Sequence, residues 1–237
     1  FKYFNKKRLI NLSKKKEIIF ICPSKWIYKE WQKSFIFNSS KAVYIPNPLD
    51  TEFFKPLQKN LCRKEFNLPL KKKLIFFCAE NANNNIRKGR HFLEKIIFNL
   101  KFLNLNVEFV SIGSNSNCLE NIYGYKIHNF VFQNNKLNLV KLYSACDLSI
   151  IPSIIDNLPQ VGTESASCGL PILSFDVGGL SDIVKNDFNG YLIPPFNTKK
   201  MSNKIYSLLN DEEKINYFSK NSRKFAIESW NQNKISK

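Results

Sequence analysis

Short apolar runs alternate with stretches of helical spacing along most of this chain. Residues 17–22, 42–45, 74–79, 107–112, 125–130, 148–151 and 172–175 are short runs rich in aliphatic and aromatic residues, the pattern of buried strands. Between and after them the apolar positions recur at helical spacing. This holds over 24–35, where Ile27, Trp31 and Phe35 share a face, over 88–102 and 137–145, and around Glu164 and Met201. It holds again over 211–230, with Ile215, Phe218, Phe225 and Trp230. Strands buried on both sides need cover on both faces, so the alternation predicts an α/β fold, a Rossmann-like parallel sheet with helices on both faces. In such a sheet a ligand sits at the carboxyl ends of the strands, near the point where strand order reverses.

Composition narrows the picture. At 237 residues, 43% of them hydrophobic, the chain can fill a sizeable core as one large or two small domains. No apolar run approaches the ~18 residues that span a bilayer as a helix. The chain opens with Phe1 and its one methionine is Met201, so its start is expected upstream and no targeting signal can be judged. Six cysteines (Cys22, Cys62, Cys78, Cys118, Cys146 and Cys168) are scattered without a C-x-x-C pair, which points to reduced thiols in a cytosolic protein. With His91 and His128 as the histidines, a zinc site is not expected.

A net charge of +17 raises the question of polyanionic partners. Residues 1–16 carry Lys2, Lys6, Lys7, Arg8, Lys14, Lys15 and Lys16 with no acid, and residues 71–73 form a second lysine block. Beyond Phe1, Tyr3 and Phe4 the aromatic residues that stack on bases are missing there. Nucleic acid therefore ranks behind simple solvation of the charges and behind attraction to an anionic membrane surface.

The stretch 147–182 carries the most chemistry. It reads as strand, loop, helix, strand and glycine turn, with Asp156 in the loop and Glu164 on the helix, seven residues between them. Gly169 and Pro171 end the helix, and Val177-Gly178-Gly179 follows the second strand. A helix opening at a strand's end leaves backbone NH groups for an anion such as a diphosphate, while two carboxylates can accept hydrogen bonds from vicinal hydroxyls. That combination suits a sugar nucleotide; the plainer alternative is a βαβ unit in which Asp156 caps the helix. Upstream, Asn83-Asn-Asn-Ile-Arg-Lys-Gly89 joins a strand to a helix. Lys88 there can meet phosphate and Gly89 permits close backbone approach, unless the segment is only a solvated basic helix start.

In their order along the chain, these segments resemble the donor-binding core of the retaining GT-B glycosyltransferases of group 1 (family 4), whose motif is an acidic residue, seven others, then Glu. Many members carry Glu where this chain has Asp156, a carbon shorter. Residues 45–56, with Pro46, Pro48 and Pro56, are similar to the family's interdomain linker, and Arg87-Lys88-Gly89 to its phosphate-binding element. An Arg that many members carry about five residues before the Lys is Asn83 here, with Arg87 as the nearest substitute. Residues 177–182 and 189–192 are also similar to family segments.

The resemblance implies the C-terminal half of a GT-B fold. Residues 1–45 would be a remnant of the N-terminal acceptor domain, 46–56 the linker, 57–210 the nucleotide-sugar donor-binding domain and 211–237 a C-terminal helix. It further implies transfer of a sugar from a nucleoside-diphosphate donor to an acceptor hydroxyl with retention and without a metal or other cofactor, in cell-surface polysaccharide or glycolipid synthesis. Asp156, facing the transferred sugar, and Glu164, accepting from the ribose, would be the catalytic pair. Arg87, Lys88 and Gly89, with Asn157, Leu158, Pro159, Gln160 and Val161, would bind the donor. Ser111, Ile112 and Gly113 and the turn at Val131 and Phe132 lie where related proteins hold the base. The implied partners are a nucleotide sugar and a carbohydrate or lipid-linked acceptor, at the cytoplasmic face of a membrane. Two alternatives stand beside this: a truncated, non-catalytic nucleotide-sugar-binding module, and a sugar-nucleotide epimerase of the same architecture.

Overall fold

The computed structural model describes residues 18–34, 41–78, 86–131 and 135–236, together with Asn11. The basic stretch at the start of the chain, the end positions Glu17, Phe35 and Ala79, and Asn83 and Phe132 lie outside them. Strand β1 (Ile19–Cys22), helix α1 (Lys25–Lys33) and strand β2 (Lys41–Tyr44) form a small unit with two parallel strands. After helix α2 (Lys59–Glu65) come β3 (Lys73–Cys78), α3 (Arg90–Lys101), β4 (Val107–Ser114), β5 (Cys118–Ile122), β6 (Tyr125–Val131), α4 (Lys136–Ala145) and β7 (Leu148–Ile151). The chain continues through α5 (Gln160–Ser167), β8 (Ile172–Phe175), α6 (Leu180–Ile183), β9 (Gly190–Ile193), α7 (Thr198–Leu209), α8 (Glu212–Trp230) and α9 (Gln232–Ile235).

Strands β3 to β9 make one sheet in the order β5-β6-β4-β3-β7-β8-β9, parallel except at the β5 edge. The period of two along each strand sorts its side chains to two cores. Leu74, Phe76, Val110, Ile112, Ile151 and Ile172 face α4, α5 and the end of α8, while Ile75, Phe77, Phe109, Ile150, Leu173 and Phe175 face α3 and α7. This is the covered α/β sheet expected from the pattern.

Three elements depart from that expectation, each for a local reason. Strand β5 pairs antiparallel with β6 across Tyr123 and Gly124, both at positive φ (54° and 92°), the geometry of a tight hairpin turn. Helix α2 has no capping side chain and is short; tertiary contacts fix it instead. The predicted helix 88–102 begins at Arg90, because Ile86–Lys88 form a separate 3-10 turn.

The contact that holds α2 is a buried ion pair. Arg63 donates from Nη2 to Asp147 Oδ2 at 2.8 Å, from Nε to Ala145 O at 2.8 Å, and from Nη1 to the carbonyls of Leu70 and Lys72 at 3.0 and 2.9 Å. Asp147 also accepts from the Leu74 amide at 2.7 Å and from Lys59 at 2.6 Å. The acid that opens the chemically rich stretch is therefore a staple between α2, β3 and β7. At the other end of the chain, Leu49 bonds to Trp230 and Gln232, and Arg223 donates to Thr51 O and Phe54 O, so α8 and α9 close on the proline-rich segment. None of the six cysteines, all among the described residues, forms a disulfide. Among the described residues no helix is long and apolar enough to cross a membrane.

Removing one partner of a buried, fully hydrogen-bonded pair strands the other charge. Arg63→Ala should lower the unfolding free energy by about 3 kcal/mol in urea titration with the slope of the transition unchanged. A loss well under 1 kcal/mol would mean that Asp147 is solvated rather than held.

Candidate functional site

Strand order reverses beside β3: the chain builds outward through β4 and β6, then returns to place β7 on the other side. The loops after β3 and β7 therefore flank the switch point, where an open α/β sheet offers its crevice. The Ile86–Lys88 turn lies against the β7 loop. Ile154 N donates to Arg87 O at 2.8 Å, and a Cβ on Gly89 (φ 76°) would stand 1.8 Å from Pro152 O. Gly89's close approach is thus to the neighbouring loop, and glycine is required there.

This approach brings two cations to Asp156. Arg87 Nη1 lies 3.1 Å from Asp156 Oδ1, and Lys88 Nζ lies 2.9 Å from Oδ2. Asp156 is buried and does not cap α5, whose N-cap is Pro159; the capping alternative is thereby corrected. On its far side the loop meets the glycine turn: Gly179 N donates to Asp156 O at 2.9 Å, and a Cβ on Gly179 would come 1.7 Å from Asn157 O. The side chain of Asn157 accepts a hydrogen bond from Ser24, which also N-caps α1 by accepting from Ile27 N at 3.0 Å. Asp182 accepts from Lys25 N at 2.6 Å, so a carboxylate faces the positive end of the α1 dipole. Leu158 points into the core and anchors the loop.

The remaining loop residues open onto a cavity of about 200 Å³. Pro159, Gln160 and Val161 line it, together with Lys88 and Glu164. Its other wall is Phe76, Cys78, Ile112, Leu139 and Tyr143, at the carboxyl ends of β3 and β4 and on α4. The amides of Gln160 and Val161 belong to the first turn of α5, where no intrahelical carbonyl can reach them. Glu164 accepts from the Tyr143 hydroxyl at 2.8 Å through Oε2. Burial raises the Glu164 pKa, against the lowering effects of the Tyr143 hydrogen bond and of Lys136. One cavity thus offers a cation, helix amides, a carboxylate and an apolar wall.

Of the residues singled out in the sequence, Lys88, Pro159, Gln160, Val161 and Glu164 meet around this cavity, as does Ile112. Arg87 and Asp156 adjoin it through Lys88, whereas Gly89, Asn157 and Leu158 set the loops rather than line the space. Tyr143 and Leu139 went unnoticed in the sequence. Their signal was present, since they stand four apart on α4 and so share a face.

A family model described as glycosyl transferases group 1 matches residues 58–225. Among curated relatives, the Escherichia coli UDP-Gal:alpha-D-GlcNAc-diphosphoundecaprenol alpha-1,3-galactosyltransferase is 26% identical over 209 residues, covering 84% of this chain and 53% of its own. The chain thus spans about half of that relative, and it spans 33% and 25% of two uncharacterized glycosyltransferases from Methanocaldococcus jannaschii. Among solved structures, sucrose-phosphate synthase from Thermosynechococcus elongatus superposes with a TM-score of 0.82 at 19% identity, over 97% of this chain and 59% of that one. Anabaena HepE in complex with UDP gives 0.79 at 18% identity, over 99% and 66%. Both likenesses are of fold, the Rossmann-like half of GT-B architecture.

A carboxyl whose pKa is raised by folding binds its proton more tightly in the native state, so its burden on stability is greatest above that pKa, shrinks as pH falls below it and vanishes below the ordinary carboxyl value. Glu164→Gln should therefore melt at or up to about 2–4 °C above the wild type at mildly alkaline pH, the shift that roughly 1 kcal/mol gives at this size. The difference should shrink on acidification. A melting temperature far below wild type above neutrality would mark Glu164 as a stabilising ion instead.

Proposed function

The chain belongs to the group 1 glycosyl transferases, and on that premise we propose that the cavity between the β3 and β7 loops binds a nucleoside-diphosphate sugar for transfer to an acceptor hydroxyl. The observation that carries this reading is the convergence of Lys88, the α5 amides and Glu164 on one cavity at the switch point of the sheet. The diphosphate meets Lys88, Arg87 and the amides of Gln160 and Val161, which favour a negative leaving group as its charge develops. Glu164 accepts from the ribose hydroxyls, and the base lies against Phe76, Ile112 and Leu139. Asp156 faces the hydroxyls of the transferred sugar, and transfer of this hexose proceeds with retention and without a metal.

Charge balance gives Asp156 a second part. With no donor present its carboxylate is the counter-ion of Lys88 and Arg87. An incoming diphosphate competes for the same cations, so its binding frees Asp156 to meet the sugar. Residues 46–56 are proposed as the linker, the unit at residues 1–45 as part of an acceptor-side domain, 57–210 as the donor domain and 211–237 as the C-terminal helix. The net charge of +17 supports a peripheral place at the cytoplasmic face of an anionic membrane, where lipid-linked acceptors for polysaccharide or glycolipid synthesis reside. The name of the Escherichia coli relative describes such an acceptor for that protein.

Two substitutions in the full-length protein test these roles by calorimetry and transfer assay. Lys88→Ala should weaken a nucleoside diphosphate by about tenfold, roughly 1.4 kcal/mol, and leave the bare nucleoside unchanged. Equal losses for both would remove the phosphate contact. Asp156→Asn should bind the nucleoside diphosphate as tightly as wild type or more so, since a competitor for the cations is gone. Its transfer rate should fall by about a hundredfold or more, as when one charge-stabilising group is removed. Weaker diphosphate binding with transfer intact would contradict the competition.

A further inference from the structure

Tyr143 and Glu164 both line the cavity. Tyr143 is buried, with its ring edge-on to Phe76 at 4.8 Å between centroids. Its hydroxyl donates to Glu164 Oε2 at 2.8 Å. A phenol has one proton to give, and this one is committed to the carboxylate. The other oxygen of Glu164 accepts from no described residue, and the side chain lines the cavity.

We propose that Tyr143 is a positioning residue: it fixes the Glu164 carboxylate with one oxygen held and the other presented to the ribose, so that the cavity selects ribonucleoside over 2′-deoxyribonucleoside diphosphates. The inference rests on the reading of Glu164 as the ribose acceptor. A carboxylate held by a rigid ring loses little further freedom when it meets a hydroxyl. A buried acceptor built for a hydroxyl discriminates strongly against an analogue that lacks it. Tyr143 also acts on charge, because its hydrogen bond favours the ionised acceptor against the burial that raises the Glu164 pKa. The other groups facing this pair are Lys136 on α4, Lys88 before α3, Cys78 at the end of β3 and Cys168 at the end of α5. Neither thiol can replace the phenol as a strong donor.

The test is calorimetry of the full-length protein with UDP and 2′-deoxy-UDP, and with GDP and 2′-deoxy-GDP beside them, from mildly acidic to neutral pH. Tyr143→Phe keeps the ring on Phe76 and removes only the donor; Glu164→Gln and the double variant complete the cycle. Wild type should prefer the ribonucleotide by about tenfold or more, the size of a hydrogen bond to a charged group. Tyr143→Phe should lose most of that preference, weaken the ribonucleotide far more than the deoxynucleotide, and move the acid limb of binding to higher pH. The double variant should be no worse than Glu164→Gln alone. A Tyr143→Phe protein that keeps its preference and pH profile, or that loses both nucleotides equally, would overturn the inference. If Glu164→Gln has no effect on a preference the wild type shows, or the wild type shows none, the ribose reading of Glu164 falls first and takes this one with it.

Discussion

Backbone meets backbone at two places around the switch point, and the site depends on both. Gly89 lies against Pro152 O and Gly179 against Asn157 O, each so close that a Cβ would stand 1.8 Å or less from oxygen. The loops after β3, β7 and β8 are thereby locked into one surface. Lys88 reaches Asp156 because the first contact sets the 3-10 turn beside the β7 loop. The second fixes Asp156 and Asn157 from the other side and lets Ser24 and Lys25 of the α1 unit dock on the same loop and on Asp182. Contacts of this kind leave the loops little room to drift.

Within that frame, electrostatics ranks the residues. An isolated buried carboxylate costs several kcal/mol, so Asp156 needs its cations when no donor is present. Arg87 is 46% exposed and Lys88 18%, against 10% for Asp156. Solvent screens the arginine, and an exposed pair contributes ~0–1 kcal/mol. Lys88 is therefore the cation that matters for Asp156. Glu164 is arranged differently, with a phenol rather than a cation at its side.

Much of this was legible in the sequence because burial writes a regular pattern. The strands of the central sheet, the helix carrying Glu164 and the long helix ending at Trp230 follow from apolar spacing, and Lys88, Glu164 and the loop between Asp156 and Val161 followed from motif order. What escaped depends on tertiary context. Helix α2 has no cap and is held by Arg63, whose partner Asp147 lies far along the chain. Strand β5 is half exposed, and its turn uses Tyr123 in a left-handed conformation that its side chain does not advertise. Tyr143 went unnoticed, because nothing local shows that its hydroxyl meets Glu164. Asp147 and Asp182, which bound the chemically rich stretch, hold elements together instead.

On the proposed reading, a donor diphosphate takes Lys88 from Asp156, and a crystal structure of the full-length protein with a bound nucleoside diphosphate would reveal the exchange. Lys88 Nζ should then lie on the diphosphate, with the Asp156 carboxylate released toward the sugar position and Glu164 within hydrogen-bond distance of the ribose while still held by Tyr143. A diphosphate bound with the Lys88 to Asp156 pair intact, or seated away from the β3 and β7 loops, would contradict it.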